Sequence, residues 1–330
     1  DLRKIELMWE LSPKFANDLE NKTAGIVSHV LGHEGQKSLL AQLKKDNLAE
    51  GLTAGSASIG VNNILFSLEV ALTDKGIKDV DTVIERCFQA ITNFKNNGIP
   101  PYVYEEMQKM ALVQYQYQSR EDVFDMVMSH AAGLIVEDIG SYPERTMLYN
   151  AFNPREVRKL LRELTPEHCH IVVTAKPEAT GVKTDRVEKW YGAEYSVLPI
   201  SDSKLSQWYN VVVHSGIDLP SSNPFIPEDL SIVNRPTFTA AAPHPLTLIE
   251  EDRGTVYFSA DTKYLVPEVS WHFKLKNPEL TNSAYNNVLT DLYLKSVTEK
   301  LNAVMYHATL AGLSASLSRA EDASIEIVVR

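Results

Sequence analysis

Cysteine is scarce in this sequence. Cys87 and Cys169 are the only two among 330 residues, too few for a disulfide framework, so a small cross-linked scaffold is excluded. No window approaches 18 uninterrupted apolar residues, which removes a transmembrane helix. Basic side chains are outnumbered, 32 Lys and Arg against 43 Asp and Glu, and the net charge of -11 repels phosphate backbones and anionic lipid heads. Neither nucleic acid nor a membrane is expected as a partner. A G-x-S-x-G elbow, a phosphate-cradling glycine loop and a dinucleotide fingerprint are all missing, so serine-hydrolase, nucleotide and nicotinamide chemistry have no residue basis. The N-terminus Asp1-Leu2-Arg3-Lys4 has neither an initiator Met nor a signal core, and residues 324–330 alternate like a strand that stops without a turn. A chain cut from something longer is expected.

What is present fits a soluble protein of two domains at roughly 150 residues each. Ile5, Leu7, Trp9 and Leu11 share one face of a strand that Pro13 ends. Helices are predicted over about 22–31 and 38–46, joined by a turn at Gly32 to Gly35. Two adjacent strands follow, residues 51–59 and 62–72. Long helices fill 79–118, broken at Gly98-Ile99-Pro100-Pro101, and further helices are predicted at 121–136 and 153–164. A strand over 168–174 precedes the close of the first domain. Residues 206–245 hold six of the sixteen prolines and read as an extended surface linker.

Beyond it the opening pattern returns. Val269, Trp271, Phe273 and Leu275 alternate as the first strand does, and a helical stretch over 282–307 follows. Gly312-Leu313-Ser314-Ala315 echoes Gly51-Leu52-Thr53-Ala54, and at the same offset of 261 residues Ile325, Ile327 and Val329 fall on Ile64, Phe66 and Leu68. This is an internal duplication whose second copy is truncated. The expected fold is α+β, an antiparallel sheet with helices packed on one face. Its parts are a complete domain over 1–205, a linker over 206–262 and the truncated start of a homologous domain over 263–330.

Two fragments suggest metal chemistry. His29 and His33 are four apart and Glu34 adds a carboxylate, but H-E-x-x-H would need a histidine where Lys37 stands, and H-x-x-E-H occurs nowhere. Helix-end histidines at a tight turn are the preferred reading. His168-Cys169-His170 puts two imidazoles on one strand face without a third ligand, and Cys87 reads as a core thiol. The segment 51–58 is rich in small residues. At a sheet edge it leaves backbone groups reachable for an added peptide strand, although packing explains small residues as well.

The run L-G-H-E-G-x-x-S-L-L-x-x-L-K at 31–44, the G-L-x-A-G strand after it, and Lys183-Thr184-Asp185-Arg186-x-Glu188-x-Trp190-Tyr191-Gly192-x-x-Tyr195 together resemble the insulinase/pitrilysin family of zinc metallopeptidases, in the branch of the insulin-degrading enzyme. The likeness runs over essentially the whole chain. It implies four homologous domains in two halves around a closed, peptide-degrading chamber, of which this chain resembles the second domain, the linker and the start of the third. It also implies that zinc, its H-x-x-E-H motif and the catalytic groups lie in domains missing here, so no catalytic or metal-binding residue is assigned and the chain alone is expected to be inactive. Carried over by motif position is a substrate-anchoring exosite of His29, Gly32, Glu34, Leu52, Thr53, Ala54 and Ser56. The implied partners are peptide substrates and the remaining domains of the parent. The competing reading is a non-catalytic capture or core subunit of the same fold. The compartment stays open between bacterial periplasm and cytoplasm.

Overall fold

The computed structural model describes residues 2–118, 121–232, 245–260 and 266–330. The chain divides into two compact units, Asp1–Pro224 and Phe225–Arg330.

Unit 1 opens with β1 (Lys4–Leu11), α1 (Thr23–Leu31), α2 (Leu39–Lys45) and the hairpin β2 (Ala49–Gly60) and β3 (Asn63–Leu72). Helices α3 (Val80–Asn97), α4 (Pro101–Gln116), α5 (Val123–Gly133), α6 (Glu144–Met147) and α7 (Pro154–Glu163) follow. The unit is completed by β4 (His170–Thr174), α8 (Pro177–Thr180), the small ribbon β5 (Arg186–Val187) and β6 (Glu194–Tyr195), and α9 (Asp202–Tyr209). The main sheet is antiparallel with the order β2-β3-β1-β4, so β2 and β4 are its edges.

Period-2 patterning decides which face is dry. Ile5, Leu7, Trp9 and Leu11 are buried with Phe66, Leu68 and Val70 in one cluster that also takes Ile26, Val30, Cys87, Phe88, Leu160 and Leu161 from the helices. The alternate residues Lys4, Glu6, Met8 and Glu10 are half-buried or exposed. Trp9 anchors the centre. Its ring meets Phe66 and the edge of Phe88 at 6.3 and 6.2 Å, and its Nε1 donates to the Thr165 carbonyl at 2.9 Å, so a large apolar body is buried without an orphan polar atom.

The predicted linker holds more structure than its prolines suggest. Trp208 on α9 is 3 % exposed and stacks on Phe88 at 6.1 Å, and Ile217 is equally buried, so unit 1 continues to Pro224. Burying an indole outweighs the local preference of a proline-rich stretch for extended chain. Within unit 2, residues 246–258 of the same predicted linker form a hairpin, β7 (Leu246–Glu251) and β8 (Gly254–Phe258). Residues 233–244 and 261–265 of the linker and its junction lie outside the described residues.

Unit 2 also holds β9 (Trp271–Leu275), α10 (Ala284–Leu310), β10 (Ala315–Arg319) and β11 (Ile325–Val329), with the sheet order β10-β11-β9. Its pairing repeats unit 1 residue for residue. Leu7, Trp9 and Leu11 face Leu68, Phe66 and Ile64, while Trp271, Phe273 and Leu275 face Val329, Ile327 and Ile325. Ala54, Ser56 and Ser58 face the same three β3 residues, as Ala315, Leu317 and Arg319 face those of β11. A slip of one residue would turn every side chain to the other face, so agreement of all three strands is a specific match. Two differences remain. The single helix α10 stands where unit 1 has α1 and α2, and Trp271 and Phe273 are 57 % and 45 % exposed where Leu7 and Trp9 are buried. Among the described residues, unit 2 has no helices in the places of α3 and α7.

Candidate peptide-anchoring edge

The site begins at the end of α1. Before that helix the Asp18 carboxylate accepts the backbone N–H and hydroxyl of Thr23, at 3.1 and 2.6 Å, and the N–H of Asn21 at 3.0 Å. Burial pushes the Asp18 carboxyl up, but these hydrogen bonds prevail and hold it below the usual carboxylate range. The helix stops where the Gly32 N–H reaches the Ser28 carbonyl at 2.8 Å. A Cβ at position 32 would lie 3.0 Å from that carbonyl oxygen and 3.2 Å from the Ala54 backbone nitrogen. Glycine is needed here by close approach, and this contact brings the two predicted site segments together.

The free edge follows from one hydrogen bond. The Leu72 N–H donates to the Arg3 carbonyl at 2.8 Å, so β3 residues of that parity face β1 and those of the other parity, Glu69 among them, face β2. Thr53 stands opposite Glu69, and therefore Thr53, Gly55 and Ala57 exchange their backbone bonds with β3. The N–H and C=O of Leu52, Ala54, Ser56 and Ser58 point outward. Leu52 is buried and offers its backbone alone, Ala54 is half-covered beside Gly32, and Ser56 and Ser58 are exposed. Beside Gly55 a Cβ would meet open space. Thr53 differs from its expected role: its side chain is exposed while its backbone turns inward. Ser58 was outside the predicted set, although counting by twos from Leu52 reaches it.

Natural edge strands are usually short or guarded by lysine, proline or a twist. At the far edge β4 has five residues, whereas β2 has twelve, lacks both lysine and proline, and carries Glu50 as its sole charge. Its register shifts occur at its two ends, between Ala49 and Gly51 and between Ser58 and Gly60, leaving a regular central stretch.

The histidines are placed by the turn. His33 is buried and its Nδ1 accepts the Gly35 N–H at 2.9 Å, which leaves the neutral ring's proton on Nε2. The His29 ring lies edge-on to it at 5.9 Å. His29-Val30-Leu31-Gly32-His33 keeps the H-x-x-E-H spacing with glycine in the glutamate's place, where any side chain would crowd the Ser28 carbonyl and the Ala54 backbone. Among the described residues no group of three or more His, Cys, Asp or Glu is placed to hold a metal ion. His168 ends a short 3-10 turn while His170 begins β4, so the two do not share a strand face as expected. Burial raises both thiols, Cys87 to about 12 and Cys169 further, so neither offers a thiolate near neutral pH. These residues do not fit a zinc centre.

Residues 1–111 match the family model described as the peptidase M16 inactive domain, and residues 115–330 match the middle or third domain of peptidase M16. The chain belongs to the peptidase M16 family. The junction of the two models falls at α4, inside unit 1, so it is not the boundary between the compact units. The human insulin-degrading enzyme is 28 % identical over 291 residues, covering 88 % of this chain and 28 % of that protein. The A-factor-processing enzyme of Saccharomyces cerevisiae is 26 % identical over 320 residues, 97 % of this chain and 31 % of its own length. The crystal structure of pitrilysin superimposes with a TM-score of 0.78 at 21 % identity, over 99 % of this chain and 34 % of that one, which shows the fold. This M16 chain thus spans about three-tenths of the relatives it matches. No helix among the described residues is long and apolar enough to cross a membrane.

Proposed function

We propose that this chain is a non-catalytic, substrate-anchoring part of a larger M16 peptidase that degrades peptides in a closed chamber. The observation that carries the reading is β2: a long edge whose outward backbone groups at Ala54, Ser56 and Ser58 suit an added strand. Backbone pairing tolerates many peptide sequences, as a degradative enzyme requires. Glu34 lies two residues past Gly32, within about 7 Å of it along the chain, and its carboxylate favours a free N-terminal amine at that end. Hydrolysis would be the work of zinc and a general-base glutamate held outside this chain.

The test titrates a labelled, extended peptide into the chain with its N-terminus free and then acetylated. Binding that prefers the free amine, with the preference lost in Glu34→Gln, supports the reading. Failure of both peptides to bind sinks it. A non-catalytic capture subunit remains the other outcome, separated by sequencing the coding region upstream: an open frame encoding H-x-x-E-H favours the peptidase, and a start codon near Asp1 favours the subunit.

A further inference from the structure

The segment that leaves unit 1 after α9 is fastened along its length, and its fastening reaches the turn that carries Glu34. Ile217 is 3 % exposed, and its carbonyl accepts a hydrogen bond from the buried Asn93 side chain of α3 at 3.0 Å. Gly216 lies against the end of the Gln42 side chain of α2. The Asp218 N–H donates to the Lys37 carbonyl at 2.8 Å, and its carboxylate stands 3.8 Å from the Lys37 ammonium. Farther on, the Tyr102 hydroxyl donates to the Pro220 carbonyl, and Glu106 of α4 accepts the Ser222 hydroxyl at 2.7 Å and the Asn223 N–H at 3.0 Å.

Lys37 has φ 62°, a left-handed conformation that a lysine adopts at a cost. The bond from Asp218 holds its carbonyl in that state. Gly32 on Ala54 and Lys37 on Asp218 thus fasten the turn on either side of Glu34. Releasing the second lets residues 33–37 relax to a more common backbone conformation and carries Glu34 with them.

We propose that His214–Asn223 is a latch that positions the Glu34 turn against the β2 edge, so that the connection leaving unit 1 governs peptide affinity there. The inference rests on the anchoring function proposed above. Its contacts run to Lys37 and to α2, α3 and α4, so its residues are positioning residues.

The experiment uses the 330-residue chain, a fluorescein-labelled twelve-residue peptide without proline, and the same peptide acetylated. Ile217→Ser removes the buried anchor. The pair Tyr102→Phe with Glu106→Ala loosens the outer end without emptying the core, and keeps the test sound if Ile217→Ser fails to fold. Amide exchange reports the latch itself. The expected result is faster exchange at residues 33–37 and unchanged exchange along β2 and β3. Peptide affinity should fall about fivefold or more, with a smaller ratio of free to acetylated binding. A released latch with unchanged affinity and ratio overturns the proposal, as does a turn whose exchange ignores both variants. If the unaltered chain binds neither peptide, the anchoring function fails and the latch with it; if it binds and the variants bind equally well, the latch alone fails.

Discussion

Replacing Ser56 by proline probes the edge at a single backbone atom. The Ser56 N–H points away from β3, so proline there removes an outward donor and leaves every β2–β3 bond in place. One peptide hydrogen bond contributes a net ~0.5–1.5 kcal/mol, which is about 2- to 13-fold in Kd. The pyrrolidine ring also projects into the path of the added strand, which puts the expected loss near the top of that range. Ala57→Pro is the matched control. Its N–H faces Leu65 on β3, so the same chemistry one residue away should cost about 1–3 kcal/mol of fold stability by stranding a ladder acceptor. Fluorescence anisotropy with a labelled peptide and thermal melting read the two effects separately. A Ser56→Pro chain that melts normally and binds as tightly as the unaltered one would refute strand addition at this edge, and the small residues of β2 would then be explained by packing.

Gly32→Ala should push the end of α1 away from Ala54, lowering stability by about 1–3 kcal/mol and weakening peptide binding, as read by denaturant unfolding and titration. Trp208→Ala should lose about 3–5 kcal/mol, because the indole is buried against Phe88; a loss within 0.5 kcal/mol would return α9 to a surface linker. Acid should weaken unit 1 through two carboxyls held low in the fold. Hydrogen bonds depress Asp18 against the effect of burial, and Lys159 and Lys14 depress Glu156. Each contributes stability that is full above its unfolded value of about 4 and is lost as pH falls through its lower folded value. Denaturant midpoints should hold from pH 7 to 5 and drop below 4, with a shallower drop in Asp18→Asn.

Strands were the most legible part of the chain. Ile5 to Leu11 and Ile64 to Leu72 bury one face, and a half-buried strand shows that as simple alternation. The duplication was readable for the same reason, since two copies under the same register constraint keep the same spacing. Helix α5 was found by its pattern although it buries none of its residues. The linker misled because proline content is a local signal, whereas the seating of Trp208 and Ile217 depends on partners more than a hundred residues earlier. At the site, the sequence placed Gly32 and Ala54 in two separate segments, and their contact confirms that those segments meet. Which backbone groups of β2 face outward could not be read, because parity depends on the pairing of β3 with β1. Motif position, which carries Thr53 along with Ala54, holds no information about that parity.

The central claim is that an extended peptide pairs with the outward groups of β2, and residue-resolved amide exchange with and without a saturating peptide tests it most directly. The amides of Ala54, Ser56 and Ser58 should slow when peptide is present, while those of Gly55 and Ala57, already bonded to β3, stay as they were. Slowing at Gly55 and Ala57 but not at their neighbours, or slowing confined to another part of the chain, would contradict the account.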